Sequence, residues 1–369
     1  MNKCKEKEIE KLWEFSAKKS KWMCLANRKK KTEELEVEVK QGVLEKTDVY
    51  KLLGNMVNEK GNMDDQLKYM EGKVGGIIRE GVRMCCRTRI GKWEIEAKKL
   101  IYETLAIHSI YYNIETWTNL RKTDTEKLIS IQGKVLRGLF GLPKSTPYWG
   151  VLYELDIMPI MVALTYKKLM FYHNIVNSDD NRIVKAVVKE QEMSGNKECW
   201  VGNIIEEAMS LEIHVSEEVV RGKPKSTWKK EVKSKIRVAV EKDLEEKKKE
   251  YKKLRFLKKK GNDTYLKEIY NEEARKAIKI RLNMVEWIDG NMGGGSKCPL
   301  CGNDGDTTEH VFRCETVENN SSVTICDLEN GEKMKEIVEL FNRNEEARRE
   351  KMKEELWINF DVLRREGTL

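Results

Sequence analysis

Four residues near the end of the chain have the types and spacing of a metal site. They are Cys298, Cys301, His310 and Cys314, in the pattern Cys-x2-Cys-x8-His-x3-Cys. A Cys-x2-Cys pair can hold one metal ion from a tight turn, and Gly302 follows the second cysteine as such turns require. His310 and Cys314 would share one face of a helix that Thr307 or Thr308 would cap. Thiolate and imidazole ligands in tetrahedral geometry suit zinc, so the pattern predicts one structural zinc ion with no open position for catalysis.

The remaining cysteines lack partners at ligand spacing, and we interpret them as plain core or surface thiols. They are Cys4, Cys24, Cys85, Cys86, Cys199 and Cys326. The alternative for the four predicted ligands is that they bind no metal ion and are ordinary buried cysteines with a histidine nearby by chance. Nine cysteines at irregular spacing in 369 residues do not form the pattern of a secreted disulfide framework. We therefore expect a reducing compartment.

Neither a signal peptide nor a membrane span is predicted. The first eight residues are charged and lack an apolar h-region. No apolar run approaches the roughly 18 residues of a membrane span, and the most apolar stretch, 157–164, is interrupted by Pro159. We expect an intracellular protein of the nucleus or the cytoplasm, with no membrane partner.

A second candidate for chemistry is a basic segment from Arg221 to Arg281. It contains 23 Lys/Arg and 10 Asp/Glu, a balance of +13, so the rest of the chain sums to −5 within the total of +8. Its clustered cations are candidate nucleic-acid contacts: Lys229, Lys230, Lys252, Lys253, Arg255, Lys258, Lys259 and Lys260. Such cations neutralise phosphates, and the interleaved rings of Trp228, Tyr251 and Phe256 could stack on unpaired bases. The alternative is a solvated helix with Glu–Lys pairs, but the zinc pattern just downstream favours RNA or DNA as partner.

The sequence lacks familiar catalytic patterns. A polymerase needs carboxylates that hold two metal ions, commonly an aromatic residue, one further residue and Asp-Asp on a hairpin. Asp64-Asp65 stands instead at a predicted helix start, and Asp179-Asp180 in a predicted loop. There is no Walker loop and no Gly-x-Ser-x-Gly elbow, and His108, His173 and His214 have no obvious nucleophile neighbour. No residue is therefore predicted to be catalytic.

The elements that must position these residues are mainly helical. The exception is an alternation of period two over 35–39, followed by a turn at 40–42 and a second strand at about 49–53 that ends at Gly54. This pattern predicts a β-hairpin. Periodicity and stop signals predict helices at 5–19, at about 64–84, over 93–117, across 128–139 with a stop at 141–143, and over 148–177 with a break at Pro159.

The second half of the chain is more charged. Residues 178–227 are interpreted as weakly structured, and a Lys-rich helix is predicted over 228–260. A further helix is predicted over 264–287, then a flexible glycine hinge at 293–296 and a last helix at about 333–363.

Several of these motifs occur in an order typical of one family. Residues 21–32 look like a palm segment, with one residue more than usual between Asn27 and the Lys-Thr pair, and 49–54 is similar to a Tyr-Leu-Gly primer-grip hairpin. Thumb-like motifs follow at 114–117, 128–147 and 152–155, and a knuckle-like motif at 298–314. Together they resemble the C-terminal portion of a non-LTR (LINE-type) retrotransposon reverse transcriptase.

The resemblance implies a nucleic-acid-binding part of an RNA-directed DNA polymerase. The family's catalytic hairpin has no counterpart here, so polymerase activity is not expected of this chain alone, and the missing N-terminal polymerase region is an expected partner. The leading function is nucleic-acid binding. Its rival is a non-enzymatic helical protein-interaction module stapled by a structural zinc, and a third possibility is a decayed relic of such an element.

The expected fold is mainly α, with a small β-hairpin near the N-terminus, a helical thumb-like bundle, a basic helical linker and a small zinc knuckle. The expected domains are 1–62 as residual palm and primer grip, 63–178 as thumb, 179–292 as basic linker, 296–318 as zinc knuckle and 330–369 as C-terminal helix.

Overall fold

The computed structural model describes residues 20–24, 36–39, 42–88, 94–269, 271–288, 297–303, 305–319 and 322–365. This part of the chain is mainly helical, and its strands all lie between residues 21 and 58. The expected fold class is therefore confirmed at this level. The helix predicted at 5–19 and the hinge predicted at 293–296 lie outside the described residues.

The short strands form three two-stranded pairs. β1 (Lys21–Trp22) runs parallel to β4 (Glu45–Lys46), and β2 (Glu38–Val39) pairs with β3 (Gly42–Val43). β5 (Val49–Leu52) pairs antiparallel with β6 (Asn55–Asn58) across a two-residue turn. The second predicted strand is thus present, but its predicted pairing with 35–39 is wrong. Leu53 and Gly54 both have positive φ, the geometry of a tight hairpin turn, so β5 pairs with the residues that follow it.

The helical region begins with α1 (Asp64–Thr88). It continues through α2 (Glu94–Ile101), a π-helical turn (Tyr102–Ala106), α3 (Ile107–Ile110) and a 3-10 turn (Ile114–Thr116). The single helix predicted over 93–117 is therefore interrupted, because the chain leaves helical geometry at Tyr111 and takes a left-handed conformation at Asn113.

The next helices follow the predicted stop signals. α4 (Lys122–Phe140) ends where Gly141 adopts a φ of +64° and Leu142 N–H closes on the Arg137 carbonyl. α5 (Tyr148–Leu155) and α6 (Ile160–Val176) are separated at Pro159, as predicted. The stripe predicted on α4 is fully buried, because its members face α1 and the core: Leu128, Ile131, Val135, Leu136 and Leu139.

Residues 178–227 are more regular than predicted. They form α7 (Ile183–Ser194), α8 (Trp200–Ser210) and α9 (Glu217–Val220). Local signals explain the helices: the Cys199 and Ser216 side chains cap two N-termini, and Gly195 ends α7 in a left-handed conformation.

The basic segment begins with α10 (Lys225–Glu250), which is shorter than the helix predicted over 228–260. Short 3-10 turns follow at 252–254, 261–263 and 265–267 before α11 (Asn271–Arg281). Leu254, Phe256 and Leu257 are all buried. A regular helix would spread these three side chains around its circumference, so burying all of them requires the irregular backbone.

The last elements are α12 (Thr308–Val311), α13 (Ile325–Asn330) and α14 (Met334–Arg365). One hydrophobic cluster joins residues of α1–α6 with residues from 244–288 and from 311–341. A second cluster lies among α6–α10. The described chain contains no helix long and apolar enough to span a membrane.

Candidate metal centre and nucleic-acid surfaces

The four predicted metal ligands converge. The three sulfur atoms and the His310 nitrogen all lie within 4.8 Å of one another. Cys298 Sγ is 4.0 Å from Cys314 Sγ, and Cys301 Sγ is 3.2 Å from His310 Nε2. A tetrahedral ion with zinc–sulfur bonds of about 2.3 Å separates two sulfur ligands by about 3.8 Å. This group could therefore hold one metal ion, and its donor set is consistent with zinc.

Local backbone structure supplies the predicted turn and the predicted threonine cap, but α12 ends at Val311, so Cys314 follows the helix and does not lie on it. Gly302, with a φ of +76°, closes the first turn by donating its N–H to the Cys298 carbonyl at 2.9 Å. Thr307 caps α12 by accepting from the His310 N–H through its side chain. The two halves of the site are thus a glycine-closed turn and a capped helical turn.

The electrostatics of the thiols also favour a cation. Burial raises the pKa of the Cys314 thiol to about 11, so a thiolate there needs positive charge nearby. Burial also acts to raise the pKa of Cys298, but hydrogen bonds from the Cys301 and Leu300 backbone outweigh it and the pKa is lowered. A bound divalent ion would supply the compensating charge for both.

The metal group is built into the protein core through α14. Arg348 forms a buried bidentate ion pair with Asp306, and its Nη2 lies 3.9 Å from Cys298 Sγ. Its guanidinium also lies over the Trp287 ring, 4.6 Å from the centroid. Phe312 packs edge-on against Phe341 of α14. The ligand turns, the residues before them and the C-terminal helix therefore share one set of contacts.

The eight predicted nucleic-acid contacts differ in their surroundings. Four of them make ion pairs with distant residues: Arg255 with Glu309, Lys258 with Glu329, Lys259 with Glu332, and Lys260 with Asp156. Lys253 donates to the Met284 sulfur at 3.3 Å. Lys229, Lys230 and Lys252 are exposed and have no ion-pair partner among the residues the structure describes. The four ion pairs hold residues 255–260 against the rest of the protein, and the three exposed lysines are available for other contacts.

Of the three aromatic residues interleaved with these cations, only Tyr251 is exposed. Trp228 and Phe256 are buried in the two hydrophobic clusters. The prediction that all three rings could stack on bases is therefore wrong for two of them, because each ring fills the core side of its own segment.

A groove that sequence reasoning missed lies between the β5–β6 hairpin and α1. It has a volume of about 500 Å³, and its lining includes Lys51, Tyr69, Lys73, His108 and Tyr112. Lys51 Nζ donates to the Tyr69 hydroxyl at 2.8 Å, and Lys73 Nζ lies 4.2 Å from the Tyr69 ring centroid. Hydrogen bonds from Lys51 and then Lys73 lower the pKa of the Tyr69 phenol. The groove is thus basic and aromatic.

The one signal for this groove in the sequence is a cluster of glycines inside a predicted helix. Gly72 and Gly76 line the groove one helical turn apart. A Cβ atom added at Gly72, Gly75 or Gly76 would meet nothing within 4 Å. Packing within the described chain therefore gives no reason for these residues, although each costs a helix about 1 kcal/mol relative to alanine.

Three residues that the sequence analysis considered for catalysis make contacts typical of structural roles. His173 is buried, with Nε2 2.9 Å from the Lys223 carbonyl oxygen and its ring stacked on Trp228. Asp64 pairs with Arg121, and Asp65 accepts from Asn58. Neither carboxylate stands opposite a second acidic pair in the described structure.

No known protein family, curated protein or solved structure matches this chain. The resemblance to retrotransposon reverse transcriptases stays a prediction from the motifs.

Proposed function

We propose that this chain is the nucleic-acid-binding C-terminal part of an RNA-directed DNA polymerase of the non-LTR retrotransposon type, inactive alone because it lacks the catalytic aspartates. In this proposal β5–β6 is the primer-grip hairpin, α1–α6 the thumb and α10 the core of the basic linker. The observation that carries the proposal is the basic, glycine-floored groove between the hairpin and α1.

Three properties of the groove fit a nucleic-acid backbone. Its two ammonium groups, Lys51 and Lys73, lie on opposite elements and can meet successive phosphates. The Tyr69 and Tyr112 rings offer flat apolar surface for a sugar or a base. Gly72 and Gly76 let a ligand approach the helix backbone more closely than any other residue type would.

The hairpin is held in place for this role by its own turn. Gly54 has a φ of +92°, and a Cβ atom there would lie 2.9 Å from the Tyr112 ring. Only glycine fits both the backbone conformation and the ring contact, so the turn fixes the position of Tyr112 beside the groove.

We propose zinc as the ion of the Cys298–Cys314 group, in a structural role. Four protein ligands complete a tetrahedral shell and leave no position for substrate. The contacts of Arg348 with Asp306 and Cys298, and with Trp287 before the knuckle, support a metal site that fixes α14 on the knuckle and on the residues before it.

The groove is tested by fluorescence anisotropy with a labelled RNA template annealed to a DNA primer, across a salt series. The variant Lys51→Ser/Lys73→Ser should bind more weakly, and the slope of log K against log salt should flatten by about 0.7–0.9 per lost phosphate contact. The matched control is Lys60→Ser/Lys68→Ser, which removes the same charge from two exposed lysines outside the groove. Equal affinities for the two variants would refute the groove as the site.

A second candidate, the helical protein-interaction module, is favoured by an apolar surface on α7. Ile183 and Met193 are 82% and 83% exposed, and Val184 and Val187 are also exposed. Such a surface is typical of contacts with other proteins. Little affinity for nucleic acid at physiological salt, with a salt slope near zero for the wild type, would favour this candidate over the first.

A further inference from the structure

A cleft opens between the α5–α6 junction and α10, and we name it the α10 cleft. It has a volume of about 690 Å³, within the range of about 300–1,000 Å³ typical of small-molecule sites. Its apolar floor is formed by side chains of both sides: Trp149, Leu152, Ile157, Met158, Val240 and Leu244.

The rim of the α10 cleft carries two ion pairs and two further charged residues. Lys260 pairs with Asp156 at 2.5 Å, and Arg237 pairs with Glu241 at 3.1 Å. The two other charged residues of the rim, Lys233 and Asp263, have no ion-pair partner in the described part of the chain. The cleft thus offers an apolar surface, one carboxylate without a cation partner and one ammonium group without a carboxylate partner, the latter 6.0 Å from the Tyr166 ring centroid.

A nucleotide has the complementary chemistry. Its base is flat and can lie on the Trp149 side of the floor, its amino or imino N–H groups can donate to the Asp263 carboxylate, and its phosphate can meet Lys233. A nucleic-acid duplex buries its base faces by stacking, so only an unpaired nucleotide can use this floor.

The surroundings favour a strand over a free nucleotide. Lys229, Lys233 and Arg237 lie on one face of α10, and each is four residues, or about 6 Å along the helix axis, from the next. Lys229 lies beyond the cleft, is exposed and has no ion-pair partner among the described residues. A strand with one base in the cleft would bring a neighbouring phosphate to Lys229, whereas a mononucleotide has no further phosphate to place there.

The backbone at the mouth of the cleft is also unusual. Asp156 ends α5 with a φ of +52°, a position for which glycine is the usual choice. Its side chain holds Lys260 at the mouth of the cleft.

We propose that the α10 cleft binds one or two unpaired nucleotides of a single strand of RNA or DNA, an inference that rests on the proposed nucleic-acid-binding function.

The test uses the full chain and a fluorescein-labelled 12-nucleotide RNA single strand, with an abasic version of the same strand as second probe. Removing the bases should weaken binding about fivefold or more, since base stacking is lost. Lys233→Ser should weaken binding of the normal strand and flatten the salt slope by about 0.7, and Lys235→Ser should do neither. Both lysines are exposed and two residues apart on α10, but only Lys233 lines the cleft, so the pair is matched in charge and in exposure.

A 4-thiouridine version of the strand, cross-linked by light, should label peptides that contain 148–159 or 236–244. Binding that is indifferent to base removal, or equal in the two lysine variants, would overturn the cleft proposal and leave the proposed function standing. Equal affinity for the 12-nucleotide strand and for a mononucleotide would overturn the choice of a strand. Failure of every probe to bind would refute both the cleft and the proposed function.

Discussion

The glycines of α1 offer a test in which stability and binding should change in opposite directions. We consider Gly76→Gln, with Gly75→Gln as control. Both glycines are exposed in the interior of a 25-residue helix, and neither has an atom within 4 Å of an added Cβ. Gly76 lines the groove and Gly75 does not. The two variants therefore differ mainly in where the new side chain points.

The effect on stability follows from helix propensity. Glutamine is better than glycine in a helix interior by about 0.5–1 kcal/mol, and the open surroundings add no steric cost. Both variants should raise the free energy of unfolding by that amount, measured by urea denaturation followed by circular dichroism. The gain should be equal within error, because the two positions are adjacent in the same helix.

The effect on binding should separate the variants. At Gly76 the new side chain occupies space that a nucleic-acid backbone would need, and the loss of one close contact worth about 1.4 kcal/mol weakens affinity about tenfold. At Gly75 the affinity should stay within about twofold. Anisotropy with the primer–template probe measures both. If Gly76→Gln binds as tightly as Gly75→Gln, the glycines do not serve nucleic-acid approach and the argument from the groove fails.

Three further outcomes are expected. Elemental analysis of protein purified under reducing conditions should find one zinc ion per chain. The zinc should be lost in Cys314→Ser and retained in the control Cys326→Ser, because the exposed Cys326 thiol lies outside the ligand group. Wild-type protein without zinc would contradict the site. Arg281→Met should destabilise the protein by about 3–5 kcal/mol at neutral pH, because it leaves the buried Glu154 carboxylate without its cation. Burial raises the pKa of Glu154, and the charge of Arg281 opposes that effect. The cost of Arg281→Met should therefore shrink as the pH falls and the Glu154 carboxyl is protonated. Urea denaturation at several pH values measures this cost, and a cost that does not change with pH would contradict the reasoning. Finally, the chain should show no primer extension on an RNA template with Mg²⁺ or Mn²⁺, and measurable nucleotide incorporation would overturn the interpretation of the missing carboxylates.

The metal group could be predicted from sequence because its geometry is local. Cys298 and Cys301 are joined by one turn, His310 and Cys314 by another, and both turns carry their own signals in Gly302 and Thr307. Stop signals predicted the ends of α4 and α5 for the same reason. Each depends on residues within one or two helical turns of the feature.

Features that depend on distant partners were not predictable. Lys260 pairs with a residue 104 positions away, and nothing in the run 258–260 distinguishes a lysine held by a carboxylate from a free one. The strand β5 was recognised, but its partner was not, because the left-handed turn at Leu53 is unusual for leucine. The groove and the α10 cleft are each formed by segments far apart in sequence, so only the glycines of α1 pointed to either of them.

The buried pair of Glu154 and Arg281 bears on how the protein is made. Arg281 also donates to the carbonyls of Lys259 and Glu329, so one guanidinium joins α5, the segment between the 3-10 turns at 252–254 and 261–263, and α13. The two partners are 127 residues apart, and a ribosome adding about 5–20 residues per second takes roughly 6–25 s to synthesise that interval. Until then the Glu154 carboxylate has no counterion, and burying that carboxyl requires its protonated form. We therefore expect the packing around α5 to be weaker until α11 has been synthesised, and fragments that stop before residue 281 to be less stable than the full chain at neutral pH.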